Sequence, residues 1–108
     1  MSDKRLLLTT AGSRDQARHL AHELVSRRLA ACVNVVGPMT SVYRWKGKVD
    51  SAEEFMLLIK TTAAEFAAIR DALLELHTYE LPELLQLQIE TGLAEYLDWI
   101  GDSVGEDQ

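Results

Sequence analysis

The sequence contains one cysteine and two prolines, and its basic residues are outnumbered by acidic ones, 11 to 17. A lone cysteine excludes an internal disulfide and with it a stapled secreted scaffold; a zinc ribbon is excluded too, and a reducing cytoplasm is the expected location. A net charge of −6 leaves no basic stripe for gripping phosphate backbones, so no nucleic acid partner is expected. Long apolar runs are missing as well. Leu6, Leu7 and Leu8 give way to Thr9 and Thr10, too soon for a signal peptide, and nothing approaches the roughly 18 apolar residues of a membrane span. No membrane association is expected. What remains is a chain of 108 residues, 47% hydrophobic, the size of one domain with one core. Residues 4–101 read as the ordered core and 102–108 as a polar, frayed tail.

The apolar run at residues 5–10 reads as a buried strand closed by a turn at Ala11-Gly12. Ser13 and Gln16 form a capping-box pattern. Behind them Ala17, Leu20, Ala21, Leu24 and Val25 recur at helical spacing to about Arg28. From Ala31 to Trp45 the composition turns to Val, Thr and Tyr, with a bulge expected at Gly37-Pro38, where proline offers no ladder donor. Lys46-Gly47-Lys48 is a tight turn, and Val49 to Thr61 returns as the second arm of a long hairpin. Thr62 and Glu65 suggest a second capped helix, with Phe66, Ile69, Leu73 and Leu76 as its buried stripe. It stops near His77 because Pro82 lies ahead, and His77 to Glu83 is a loop. Leu85, Leu87 and Ile89 alternate with polar residues, as in a strand with one wet face. A last helix from about Thr91 has Leu93, Tyr96, Leu97 and Ile100 on its apolar side.

This order predicts an α+β fold, a ferredoxin-like βαββαβ sandwich with a long hairpin of the second and third strands and an extra C-terminal helix. The first and third strands, apolar on both faces, should be central and the fourth an edge. Two helices cover one face of such a sheet. Leaving about six side chains wet on the other would forgo on the order of 10 kcal/mol, at roughly 1.5 to 3 kcal/mol each. Either a homo-oligomer packs sheet to sheet or the C-terminal helix folds back.

Candidate chemistry is sparse. His19 and His22 lie three apart on the first helix, but two imidazoles alone make a weak metal site, and a solvated helix face explains them. Cys32 fits a strand as a small apolar filler. Tyr43, Arg44, Trp45, Lys46 and Lys48 crowd the hairpin tip, a composition suited to an interface or a ligand cleft. The loop from His77 to Glu83 gathers an imidazole, a phenol and two carboxylates on irregular backbone, so it is the strongest candidate site; it supplies only two or three ligands for an ion, and other subunits or water would complete the shell. No nucleophile elbow is present. Arg14 after the first strand invites comparison with acylphosphatase-like enzymes, but the loop around it is too short to cradle a phosphate.

Ala30-Ala31-Cys32-Val33-Asn34, Ser41-Val42-Tyr43-Arg44-Trp45-Lys46-Gly47-Lys48, Leu58-Ile59-Lys60-Thr61, His77-Thr78-Tyr79-Glu80-Leu81-Pro82-Glu83 and Gly92 with Tyr96-Leu97-Asp98-Trp99 resemble the CutA divalent-cation-tolerance family over nearly the whole chain. The resemblance implies a non-enzymatic homotrimer of ferredoxin-like subunits, similar to the PII-type signalling trimers, with clefts between subunits. Tyr43, Trp45, Gly47, Lys48, Lys60, Tyr79, Glu80 and Pro82 match the family pattern and would line or frame that cleft, with Glu83 beside them; His77 matches the family histidine, and with Glu80 of the same loop it is the candidate metal ligand pair. A divalent ion, copper or zinc, or a small molecule is the implied ligand. Thr78 and Gln88 stand where the family commonly has proline. At the positions of the copper ligands described for bacterial members, this chain has Thr9, Leu76 and His77. The rival reading is a PII-like signalling or scaffold trimer that senses a small anionic metabolite through Lys48 and Lys60.

Overall fold

A computed structural model describes residues 2–106 of the chain. Its elements are β1 (Lys4–Ala11), α1 (Arg14–Ser26), β2 (Cys32–Trp45), β3 (Lys48–Thr62), a 3-10 turn (Ala63–Glu65), α2 (Phe66–Leu76), β4 (Leu85–Gln88) and α3 (Ala94–Ser103). The sheet is antiparallel in the order β2-β3-β1-β4, so the two doubly apolar strands are central and the alternating strand is an edge, as the sequence predicts. The α+β ferredoxin-like class is therefore the observed one.

Strand periodicity sorts the sheet into two faces. Leu7, Leu57 and Ile59 point to one face and form the core with Ala17, Leu20 and Leu24 of α1 and Ile69, Ala72 and Leu73 of α2. Ser13 caps α1 as expected, its Oγ accepting from the Gln16 N–H at 3.1 Å. The second cap differs from expectation. Thr62 completes β3 and makes no side-chain capping bond, because the 3-10 turn intervenes before α2 begins at Phe66.

On the opposite face lie Leu6 and Leu8 of β1, Met56, Leu58 and Lys60 of β3, Cys32, Asn34 and Val36 of β2, and Leu85 and Leu87 of β4. α3 touches β1 and β3 and buries Ile100, but Leu93, Tyr96 and Trp99 stay exposed, as do Val36, Leu85 and Leu87. The C-terminal helix thus covers part of this face only. Of its expected apolar side only Ile100 is buried, and Leu93 and Tyr96, like Leu85 and Leu87 on the expected dry side of the fourth strand, stay exposed among the described residues. The ordered region also continues past residue 101. The Arg28 Nε donates to the Gly105 carbonyl at 2.7 Å, the Gly105 N–H returns a bond to the Arg28 carbonyl at 2.9 Å, and Val104 is buried. Residues 107 and 108 of the expected tail lie outside the described residues.

The hairpin of β2 and β3 outruns the rest of the sheet. β1 pairs with β3 only as far as Ala11 opposite Phe55, whereas β2 follows β3 out to Trp45 opposite Lys48. Residues 39–53 therefore form an arm, and the molecule measures 46 × 25 × 22 Å. Lys46 and Gly47 both have positive φ, 50° and 81°, the geometry of a type I′ hairpin turn.

Candidate functional site

The site candidates fall along one face, and the bulge at Gly37-Pro38 is the reason. Before it Val36 opposes Met56; after it Met39 opposes Glu54, so β2 spends one residue more than β3. Side-chain parity on β2 is thereby reversed. Tyr43 and Trp45 come to share a face with their partners Asp50 and Lys48, and with Glu54 further along β3. This is the sheet face turned away from α1 and α2. Without the extra residue the two aromatics would lie on the other side of the arm. Gly37 is required for it: φ is +153°, and a Cβ would stand 2.7 Å from the Phe55 Cδ2 and 3.0 Å from the Glu54 carbonyl.

At the base of the arm the loop after α2 folds against the end of β1. His77 ends the helix, its N–H reaching the Leu73 carbonyl at 2.8 Å. Its ring spans two backbone groups, with Nε2 2.7 Å from the Thr10 carbonyl and Nδ1 accepting from the Tyr79 N–H at 3.0 Å. These partners fix the tautomer, proton on Nε2. The Tyr79 ring lies 4.7 Å from the His77 ring, and its hydroxyl donates to Glu54 Oε2 at 2.7 Å. Gly12 admits the phenol: a Cβ there would be 3.1 Å from the Tyr79 oxygen. Thr9 Oγ donates to the Glu83 carbonyl at 2.6 Å and so pins the end of the loop.

Electrostatically this base is acidic and partly dry. Burial first, and then donation to Glu54, push the Tyr79 phenol well above its usual ionisation range. Burial also raises the Glu83 carboxyl, with the Glu54 charge adding to it. Glu54 itself is buried. Among the described residues, no ion pair includes Glu54, Glu83 or Lys48.

The expected site residues thus divide within one chain. Tyr43, Trp45 and Lys48 share the outer arm; His77, Tyr79 and Glu83 share its base, with Glu80 exposed on the same loop. Lys60 lies at the far end of β3, six residues beyond Glu54, where its ammonium meets Asn34 Oδ1 and, at 3.9 Å, Cys32 Sγ. No group of three or more His, Cys, Asp or Glu side chains that could hold a metal ion occurs among the described residues. Both nitrogens of His77 are already engaged, so coordination there requires release of one backbone bond. Thr9 is buried with its hydroxyl donated to Glu83, and Leu76 ends α2. His19 and His22 stand exposed on α1.

Sequence reasoning missed Glu54; it marked the turn at Gly12 and the bulge at Gly37-Pro38, which the register bears out, but not the room Gly12 leaves for Tyr79 or the reversal of facing that the bulge causes. Glu54 opens the apolar run of β3 and reads as its polar start. The usable signal was its period-two spacing with Met56 and Leu58, which places it on the open face.

A family model described as "CutA1 divalent ion tolerance protein" matches residues 5–103. The divalent-cation tolerance protein CutA of Thermus thermophilus is 43% identical, over 94% of this chain and 99% of its own. The crystal structure of CutA from Xylella fastidiosa superimposes with a TM-score of 0.93 at 40% identity, over 96% of this chain and 100% of that one. The structure described as the periplasmic divalent cation tolerance protein CutA from Archaeoglobus fulgidus does so with a TM-score of 0.91 at 38% identity, over 94% and 99%.

Proposed function

This chain belongs to the CutA1 divalent ion tolerance family, and on that premise we propose that it acts as a non-enzymatic homotrimer whose intersubunit clefts bind divalent cations or a small ligand. The observation that carries the reading is the parity of the sheet. Tyr43, Trp45, Lys48 and Lys60 all fall on the face that the subunit leaves partly uncovered, with Tyr79 joined to that face through Glu54. Residues spread along one open face become neighbours only when other copies press against it.

In this proposal the cleft offers aromatic walls from Tyr43, Trp45 and Tyr79, cationic groups from Lys48 and Lys60, and the Glu83 carboxylate. A cation of the copper or zinc class enters at the His77–Glu80 loop. His77 Nδ1 becomes a ligand when the Tyr79 N–H lets go, and Glu80, already at the surface, supplies an oxygen. Two side chains make an incomplete shell, so water or another copy completes it. A cytoplasmic location is part of the proposal and rests on the unpaired thiol of Cys32.

Calorimetric titration of copper and zinc into the wild type, His77→Ala and Glu80→Gln tests the cation reading. Binding by the wild type that weakens in both variants supports it, while identical isotherms remove His77 and Glu80 as ligands. The anion-sensing alternative through Lys48 and Lys60 has less behind it within one chain, since they lie twelve positions apart on one strand, roughly 40 Å at about 3.3 Å per residue. A thermal-shift screen of nucleotides against metal ions separates the two readings, because a ligand that binds only the native state raises the melting temperature.

A further inference from the structure

Several polar side chains of α1 are tied to neighbouring elements. Gln16 donates to the Leu76 carbonyl at 3.2 Å, Arg14 lies over the Phe55 ring, 4.8 Å from its centroid, and Arg27 bridges Glu23 of its own helix at 2.9 Å and Glu75 of α2 at 3.4 Å. His19 and His22 are different. Both are exposed, and neither ring makes an ion pair among the described residues.

Two imidazoles alone make a weak site, and the helix brings them a carboxylate. His22 and Glu23 follow His19 by three and four positions, one turn on, where Cβ atoms stand about 5 to 6 Å apart. The three side chains therefore form a triangle on one strip of α1. Asp15, four positions before His19, is exposed one turn earlier, placed to accept the ring proton that a metal-bound imidazole turns outward. The backbone beneath is fixed, because Ala17, Leu20 and Leu24 are wholly buried and Ser13 caps the first turn. With the side chains as they lie, three ligand groups are not gathered, and Glu23 is turned to Arg27. That contact is an exposed ion pair, the kind that contributes little, and Arg27 keeps Glu75 when Glu23 leaves it.

We infer that His19, His22 and Glu23 form a cation site on the outer helix layer, separate from the His77–Glu80 loop, for a borderline divalent ion such as zinc(II) or copper(II). Two imidazoles and one carboxylate are a donor set suited to these ions, with water at the remaining position. Glu23 swings from Arg27 to complete the set, and Asp15 is a positioning residue that acts through His19. The site is complete within one copy. α1 packs on the sheet face opposite the open one, so these ligands stay accessible whatever covers the other side, and the inference does not depend on the oligomeric reading above.

The test titrates zinc by calorimetry into the full-length wild type, a His77→Ala/Glu80→Gln variant, and that variant with His19→Ala and His22→Ala added, each checked for folding by circular dichroism. The loop variant should still take up about one zinc per chain. Adding the two α1 substitutions should weaken that uptake by about tenfold or more, and Glu23→Gln in the loop variant should weaken it less. Binding by the wild type that disappears in the loop variant overturns the inference and leaves the cleft reading standing. Binding that disappears only when His19 and His22 are replaced supports the inference and removes His77 and Glu80 as ligands. A wild type that takes up no zinc refutes both. Copper(II) added to the 15N-labelled loop variant gives a second measurement: amide signals of residues 18–23 should broaden first, and broadening confined to other segments would overturn the inference.

Discussion

The body of this protein and its arm are built from the same two strands, yet they obey opposite rules. In the body, β3 sets Leu57 and Ile59 against α1 and α2, and both are wholly buried. In the arm, the same strand and its partner expose Val42, Val49, Tyr43 and Trp45 among Arg44, Lys46, Lys48, Asp50 and Glu53. The difference lies in what each can reach. The helices span the body and stop where β1 stops; the Tyr79 loop reaches on to Glu54, and the strands beyond it extend past both. The body is stabilised by its own contacts, whereas the arm extends past them, and in the proposed assembly another copy covers it.

The comparison can be broken at four places, from the largest expected effect to the smallest. Leu57→Ala removes a fully buried side chain and should lower subunit stability by about 2 to 5 kcal/mol, read by denaturant unfolding. Gly37→Ala attacks the joint between body and arm. Its φ of +153° and the 2.7 Å approach to Phe55 should cost about 1 to 3 kcal/mol; the hairpin amides beyond the bulge should also lose protection in hydrogen exchange while the β1–β3 amides keep theirs. Tyr79→Phe leaves the buried Glu54 carboxylate without its donor and should cost about 1 to 3 kcal/mol, with the loop at Thr78–Glu83 exchanging faster. Trp45→Ala should change the stability of the isolated subunit by less than about 0.5 kcal/mol and leave its circular dichroism unaltered, while sedimentation shows weaker assembly. An equal stability loss from Trp45→Ala and Leu57→Ala would erase the distinction between arm and body.

Much of the body was legible because its signals are local. Ser13 and Gln16 announced the start of α1, the apolar runs on both sides of β1 and β3 announced central strands, and Pro82 announced the end of α2. The misses share a cause: they depend on what faces a residue. Thr62 has a capping residue's chemistry, but it pairs with Lys4 at the end of β3 and an intervening 3-10 turn starts α2 later. The alternation of Leu85 and Leu87 suggested a dry face on β4, and the helical spacing of Leu93 and Tyr96 suggested a buried side on α3. Both patterns are real, and among the described residues these four side chains stay exposed.

The candidate site was legible in part. The tip and the loop could be recognised by composition and by resemblance, and the break at Gly37-Pro38 was visible. Its consequence was not, because only the observed register shows that one extra residue in β2 brings Tyr43 and Trp45 to the side of Lys48 and Glu54. The role of Glu54 likewise emerges only when β1 is seen to end beside it, leaving room for the Tyr79 hydroxyl.

Solution mass tests the central claim most directly, namely that the open sheet face and the bare arm are completed by copies of the same chain. Native mass spectrometry or light scattering at low micromolar concentration should give three times the 12.1 kDa of one chain. A well-folded, stable particle of 12.1 kDa under those conditions would contradict it, and the clefts proposed here would then have no walls.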